Sequence, residues 1–163
     1  MRRFVFTFAA VSNLLFLDQA VKEAAVAWLK GAAPHVVVPG FFSLAYVENR
    51  GCAWGMLQGR VWALAVFAIA AMAFVAWKRK SIFPGGAVGF AAESFLYDGI
   101  LGNLVDRLYR GYVVDMFDFM WGSSHFPCFN VADVCINVAV GLLLLASFLS
   151  GKNSKGKTSD AVS

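Results

Sequence analysis

The chain has 163 residues, 60% of them hydrophobic and 15% charged, against roughly 45–50% and 25% in soluble domains. With a mean hydropathy of +0.66 and a formal charge of only +4, it is neither an ordinary globular domain nor a disordered chain nor a nucleic-acid binder. One domain of four or five spans of about 20 residues fits this length, which is too short for most two-repeat transporters.

Four apolar stretches follow in order, at residues 4–28, 61–77, 87–105 and 129–149. At 1.5 Å per residue each reaches roughly 25 to 35 Å, enough for a bilayer core of about 30 Å. Arg2 and Arg3 precede the first, Lys78, Arg79 and Lys80 follow the second, and Lys152, Lys155 and Lys157 follow the fourth. Four spans put those bases on one side, which the positive-inside rule makes cytoplasmic, with both termini. Trp28 and Trp62 then fall at the outer boundary and Trp77 at the inner one. The rival reading of the first stretch is a cleaved signal peptide ending at Ala25-Val26-Ala27, but Asp18, Gln19, Lys22 and Glu23 interrupt it. Residues 1–150 are read as one membrane domain and 151–163 as a flexible cytoplasmic tail. In the first outer connection, residues 35–38, a turn at Pro39-Gly40 and residues 41–47 form a β-branched and aromatic run suited to strands.

The few polar residues gather at one depth. Asp18 lies about 21 Å along the first span, in its outer half. Asn103, Asp106 and Arg107 close the third span on the same side, Asp133 opens the fourth, and Asp115 lies in the outer connection between them. Interfacial carboxylates are costly and mark candidate functional sites. Asp18 and Lys22, spaced i, i+4, suit either an ion pair or a substrate contact, and Asp106 suits a structural ion pair. Arg107 suits a clamp on a lipid phosphate or on a catalytic loop. Asp115 and Asp133 both sit in apolar runs, where one carboxylate could serve as base on water while the other, protonated, polarises a carbonyl. The residues alone leave open whether Asp133 instead caps a helix and Asp115 a turn. Asp118 reads as a solvated loop acid, and His35 and His125 as loop histidines. Cys52, Cys128 and Cys135 are an odd count. The first two could pair on an oxidising side, although small apolar packing is the preferred role. No His-x-x-x-His or paired-Cys spacing suggests a metal.

In these blocks the chain resembles the lipoprotein signal peptidases, or signal peptidase II, bacterial inner-membrane aspartic peptidases that remove signal peptides from prolipoproteins. The matching blocks are Asp18-Gln19 with Lys22; Asn49-Arg50-Gly51-Cys52-Ala53-Trp54-Gly55; Gly102-Asn103 through Asp106-Arg107; Gly111 through Asp115; and Phe126-Pro127 with Phe129-Asn130 and Ala132-Asp133. The resemblance implies that Asp115 and Asp133 are a catalytic dyad, with Asn49, Gly51, Asn103, Arg107 and Asn130 orienting it or touching substrate and Asp18 and Lys22 in support. It also implies an all-α membrane fold of four transmembrane helices with a small extracytoplasmic β-sheet, no cofactor and no metal. The implied partners are diacylglyceryl-modified prolipoproteins and membrane lipid, with no nucleic acid, and a monomer is expected. The chain departs from the family's pattern at Glu93 and at Asp98-Gly99-Ile100-Leu101, where small residues and a Gly pair are usual. That departure predicts buried acids facing the bundle interior and looser packing of the third span. A second reading is a small proton-coupled carrier or channel subunit with Glu93, Asp98 and Asp133 as a relay, and a third is a non-enzymatic membrane scaffold.

Overall fold

The computed structural model describes residues 2–52 and 56–159. The elements run α1 (Arg2–Leu29), β1 (His35–Val38), β2 (Phe42–Asn49), α2 (Val61–Ile82), α3 (Gly86–Tyr109), β3 (Val113–Trp121), β4 (Ser124–His125) and α4 (Val131–Ser159). The architecture is mostly helical with one small antiparallel sheet. Ala53, Trp54 and Gly55 of the second block lie outside the described residues.

Three helices are long and apolar enough to cross a membrane: Arg3–Leu29, Val61–Ile82 and Val131–Ser150. Their outward faces carry large apolar groups, among them Phe8, Phe16, Phe67, Phe74 and Phe148, each more than half exposed. This is the pattern of helices whose solvent is lipid. Trp28 and Trp62 lie at the end of α1 and the start of α2, Trp77 lies near the other end of α2, and all three are exposed. Arg79 and Lys80 occupy the last turn of α2, where cations complement the helix dipole. The backbone of α4 continues as helix beyond Ser150 to Ser159.

The remaining long helix, α3, is the central one and packs against α1, α2 and α4. Small residues let the backbones approach, as is usual between helices in lipid. A Cβ on Gly99 would come within 2.5 Å of the Ala132 carbonyl oxygen, and one on Gly102 within 2.5 Å of Asp18 Oδ2. The looser packing expected from the departure at Asp98-Gly99 is therefore corrected: Gly99 and Gly102, on one face of α3, do the work of a glycine pair. The acids of α3 do face inward, and each is 2% exposed or less. Glu93 is paired with Arg79 and, at 3.1 Å, with Arg3, whose guanidinium also reaches the Pro84 carbonyl at 3.4 Å. This clamp ties α1, α2 and α3 at the end away from the sheet. Neither Asp98 oxygen has a partner at ordinary hydrogen-bond geometry among the described residues; the Cys135 thiol of α4 is the polar group beside it.

The strands pair in the order β1-β2-β3-β4, all antiparallel. Strands β1 and β2 are the two read from sequence. The connection after α3 also contains a nine-residue strand, β3, which pairs Val47 with Asp115 and Asn49 with Val113. Val114 and Met116 of β3 bury themselves against Ala25 near the end of α1, with Tyr46 and Tyr112 at the margin, and this seats the sheet on the helices. Asp118 is not a solvated loop acid. It lies on β3, is 8% exposed, and one oxygen meets His125 Nδ1 at 2.9 Å across the β3–β4 hairpin. His125 is correspondingly a strand residue with a partner. Cys52, Cys128 and Cys135 are all free thiols.

Candidate active site

A main-chain clasp brings β3 to the start of α4. Phe129 accepts hydrogen bonds on its carbonyl oxygen from Met116 N–H at 3.1 Å and Phe117 N–H at 3.0 Å, and its own N–H donates to the Phe117 carbonyl at 3.3 Å. Phe129 also stacks on Phe119, with ring centroids 5.8 Å apart. Asp115 and Met116 are neighbours in β3, and Asn130 follows Phe129, so the clasp sets Asp115 beside the N-terminus of α4.

That N-terminus closes on itself. Asn130 Oδ1 accepts from Asp133 N–H at 3.0 Å, and Asp133 Oδ2 accepts from Asn130 N–H at 3.2 Å. This reciprocal capping box satisfies backbone donors that the helix leaves without partners. The helix-capping reading of Asp133 is thus correct as far as it goes, and the same box fixes the orientation of its carboxylate. The turn-capping reading of Asp115 is not: this residue is a strand residue, 1% exposed.

Two asparagines, Asn103 and Asn130, connect the two acids, and a third, Asn49, holds the far side of Asp115. Asn130 Nδ2 donates to Asp115 Oδ1 at 2.6 Å and to Asn103 Oδ1 at 3.1 Å, Asn49 Nδ2 donates to Asp115 Oδ2 at 2.9 Å, and Asn103 Nδ2 donates to Asp133 Oδ1 at 2.8 Å. Each amide has its oxygen committed elsewhere, which decides which end faces the acid. Asn130 Oδ1 is held by Asp133 N–H, Asn49 Oδ1 by Gly51 N–H at 3.0 Å, and Asn103 Oδ1 by the Lys22 ammonium at 3.2 Å. Arg107 donates to the Gly51 carbonyl at 3.3 Å and to the Asn103 carbonyl at 3.4 Å, tying the loop after β2 to α3. Gly51 is needed there, because a Cβ would stand 2.5 Å from the Met56 carbonyl oxygen.

Behind the asparagines lies a buried ionic network. Lys22, fully buried, bridges Asp18 at 3.0 Å and Asp106 at 3.2 Å. Asp106 also pairs with Arg110 at 2.6 Å and accepts from Val114 N–H at 3.0 Å, while Asp18 Oδ1 accepts from Ala132 N–H at 2.9 Å. Asp18 and Lys22 therefore have no open face, and their contact with the acids runs from Lys22 through Asn103 to Asp133. Asp106 is in an ion pair, as expected, with partners two helices apart. Gln19 and Arg110, which residue spacing did not single out, complete the network. Gln19 Nε2 reaches Asp18, the Gly102 carbonyl and Asp106 within 3.3 Å, and Arg110 reaches the exposed Glu23 at 2.5 Å. The i, i+4 spacing of Asp106 and Arg110 was the available signal.

Asp133, Asn103, Arg107 and Asn49 form the polar head of a groove of about 1040 Å³. Its walls are apolar, with Leu64 and Phe67 from α2, Ile100 from α3 and Val134 and Val138 from α4. Asp115 stands behind that head. Burial pushes its carboxyl up to about 7, with the negative charge of Asp133 as the next cause, while the hydrogen bonds from Asn49 and Asn130 oppose the rise. Near neutral pH Asp115 therefore still holds its proton in a large part of the molecules. The half-buried Cys128 thiol, pushed up to about 11 by burial and then by Asp118 and Asp115, stays protonated and is not a nucleophile. An apolar-walled groove that ends at one carboxyl with a second directly behind it suits hydrolysis of a bond presented at its head.

Residues 10–149 match the family described as signal peptidase (SPase) II. The chain is similar to the lipoprotein signal peptidase of Syntrophotalea carbinolica, with 41% identity over 138 residues covering 83% of this chain and 86% of the relative. It is similar also to that of Symbiobacterium thermophilum, with 43% identity over 67% of this chain and 72% of the relative. A solved structure described as a bacterial membrane enzyme at 2.3 Å superposes with a TM-score of 0.78 at 26% identity, covering 91% of this chain and 90% of that one.

Proposed function

The chain belongs to the signal peptidase II family, proteases that cleave signal peptides from lipoproteins, and we propose that Asp115 and Asp133 are its catalytic dyad. The observation that carries this is the clasp at Phe129, which sets Asp115 directly behind Asp133 at the polar head of one groove, with Asn130 bonded to each. Water held between the acids loses a proton to the Asp133 carboxylate as its oxygen attacks the scissile carbonyl carbon, and protonated Asp115 gives its proton to the carbonyl oxygen. The tetrahedral diol collapses when Asp133 passes its proton to the leaving nitrogen, the C–N bond breaks, and Asp115 recovers its proton from the diol. No covalent enzyme intermediate forms.

The finer reading of the setting belongs to the same proposal. Helix α3 is read as crossing with the other three, since two of its three acids are covered, Glu93 by Arg79 and Arg3 and Asp106 by Lys22 and Arg110, and the third, Asp98, is buried inside the bundle. Four spans put both termini in the cytoplasm, with the sheet and dyad at the outer face of the bacterial inner membrane, as Trp28, Trp62 and Trp77 and the bases after α2 support. The groove's apolar walls suit the signal segment and the acyl chains of a diacylglyceryl-modified prolipoprotein, and the enzyme acts as a monomer. A proton relay through Glu93, Asp98 and Asp133 is not favoured, since Glu93 is neutralised by two guanidinium groups and, among the described residues, no hydrogen bond links Asp98 to either of the other two acids.

The test is cleavage of a diacylglyceryl-modified prolipoprotein by the purified protein and by Asp115→Asn and Asp133→Asn. Both variants are expected to lose turnover while folded. Near-normal turnover in either would overturn the dyad.

A further inference from the structure

Asn137 is the polar residue of the groove that the dyad and its supports do not use. It lies four residues beyond Asp133 on α4, so the two share a helix face with Asn137 about 6 Å further along the axis. Its Nδ2 donates to the Asp133 carbonyl oxygen at 2.8 Å, which fixes the plane of the carboxamide, and the side chain is exposed on the groove wall between Val134 and Val138. One back-bond uses one of the four hydrogen-bonding places of an Asn, leaving Oδ1 and the second N–H turned to the groove. An amide in an otherwise apolar, lipid-bathed wall is costly unless its occupant supplies partners, and Asn is a poor helix former, so propensity does not explain it.

The chemistry of the side chain selects the occupant. An acyl ester offers only acceptors, and a helical segment has its own N–H and C=O groups engaged, whereas extended main chain presents a donor and an acceptor on one edge. We infer that Asn137 is a positioning residue that pairs with the unwound main chain of the substrate on the signal side of the cut. Extended chain advances about 3.3 Å per residue, so 6 Å corresponds to about two residues before the scissile bond. This rests on the dyad reading above, and it adds that the signal helix must unwind for at least that distance to be cut.

The experiment uses the purified full chain and lipidated substrate peptides in which one backbone N–H is replaced by an ester oxygen, scanned over the four residues before the cut. In the parent the ester is expected to lower kcat/KM about 3- to 10-fold at one position, near the second residue. Asn137→Leu is expected to cut the all-amide peptide more slowly by a similar factor and to show no further loss with that ester. An equal ester effect in parent and variant, or a variant that cuts the all-amide peptide at the parent's rate, overturns the assignment. If the leucine variant fails to fold, Asn137→Ser gives the same comparison. Failure of the parent to cut any all-amide peptide would instead overturn the cleavage reading on which both the dyad and this assignment rest.

Discussion

Replacing Asp115 by Asn separates what this group contributes to catalysis from what its burial costs. Both of its oxygens accept hydrogen bonds, from Asn130 and Asn49, and a carboxamide supplies only one oxygen. Neither asparagine can turn round without losing its own bond, to Asp133 N–H or to Gly51 N–H, so one N–H is left facing another at a cost of about 1–3 kcal/mol at every pH. Against this stands the carboxyl's rise from its ordinary 3.8 to about 7. An acid raised on folding favours the folded state only while protonated, so the parent's stability is full below about pH 4 and falls until pH passes 7. The loss is about 4 kcal/mol in all, of which about 3 falls between pH 5 and 8. Asp115→Asn lacks that loss, so its stability relative to the parent should rise by about 3 kcal/mol over the interval, from near or below the parent at pH 5 to equal or above it at pH 8. Unfolding of both proteins in detergent at the two pH values reads this double difference, from which the pH-independent cost cancels. Cleavage should fall about a hundredfold or more at either pH. Parallel pH profiles for parent and variant would refute the reasoning, because they would mean Asp115 ionises in the folded protein as it does unfolded.

Lys22→Met should destabilise by about 3–5 kcal/mol, since it leaves Asp18 and Asp106 buried without their shared cation; unchanged unfolding would show that the network is not ionic. Asn103→Leu frees one side of Asp133 and removes one partner of the Lys22 ammonium, which keeps Asp18 and Asp106, so turnover should fall about 10- to 100-fold with the chain still folded, and parent-like kcat would remove Asn103 from the site. Gly99→Val drives a side chain into the Ala132 carbonyl and should cost at least about 1–3 kcal/mol, read as a lowered Tm in detergent. Cleavage by the parent should decline as pH rises through about 7 and Asp115 loses its proton, and a rate still climbing at pH 9 would assign the acid role elsewhere.

The helices and the hairpin were legible because lipid-facing segments and β-branched runs announce themselves by composition, and the site's depth was legible because so few charges compete for it. What the residues hid has identifiable causes. Strand β3 alternates poorly: Val113 to Met116 are buried on both faces, between sheet and helix, so no period of two separates it from a loop. Asp118 looked solvated because its partner His125 follows a hairpin whose register only the fold supplies. The departure at Asp98-Gly99 looked damaging because a neighbouring acid drew attention from the glycine that remains. Asn103 and Asn130 could be placed near the acids by chain position, but the direction of each amide depends on Lys22 and on the backbone of α4, which no spacing encodes.

The clasp at Phe129 is made of main-chain groups on both sides, and any residue but proline can make it. The hydrogen bonds that set the two carboxyls side by side therefore do not depend on the side-chain chemistry at positions 116, 117 and 129, although Met116 and Phe129 also pack there. The groove walls carry no such constraint: Leu64, Phe67, Ile100 and Val138 can change bulk without touching the clasp, so the shape of what the groove admits can vary while the acids stay where they are.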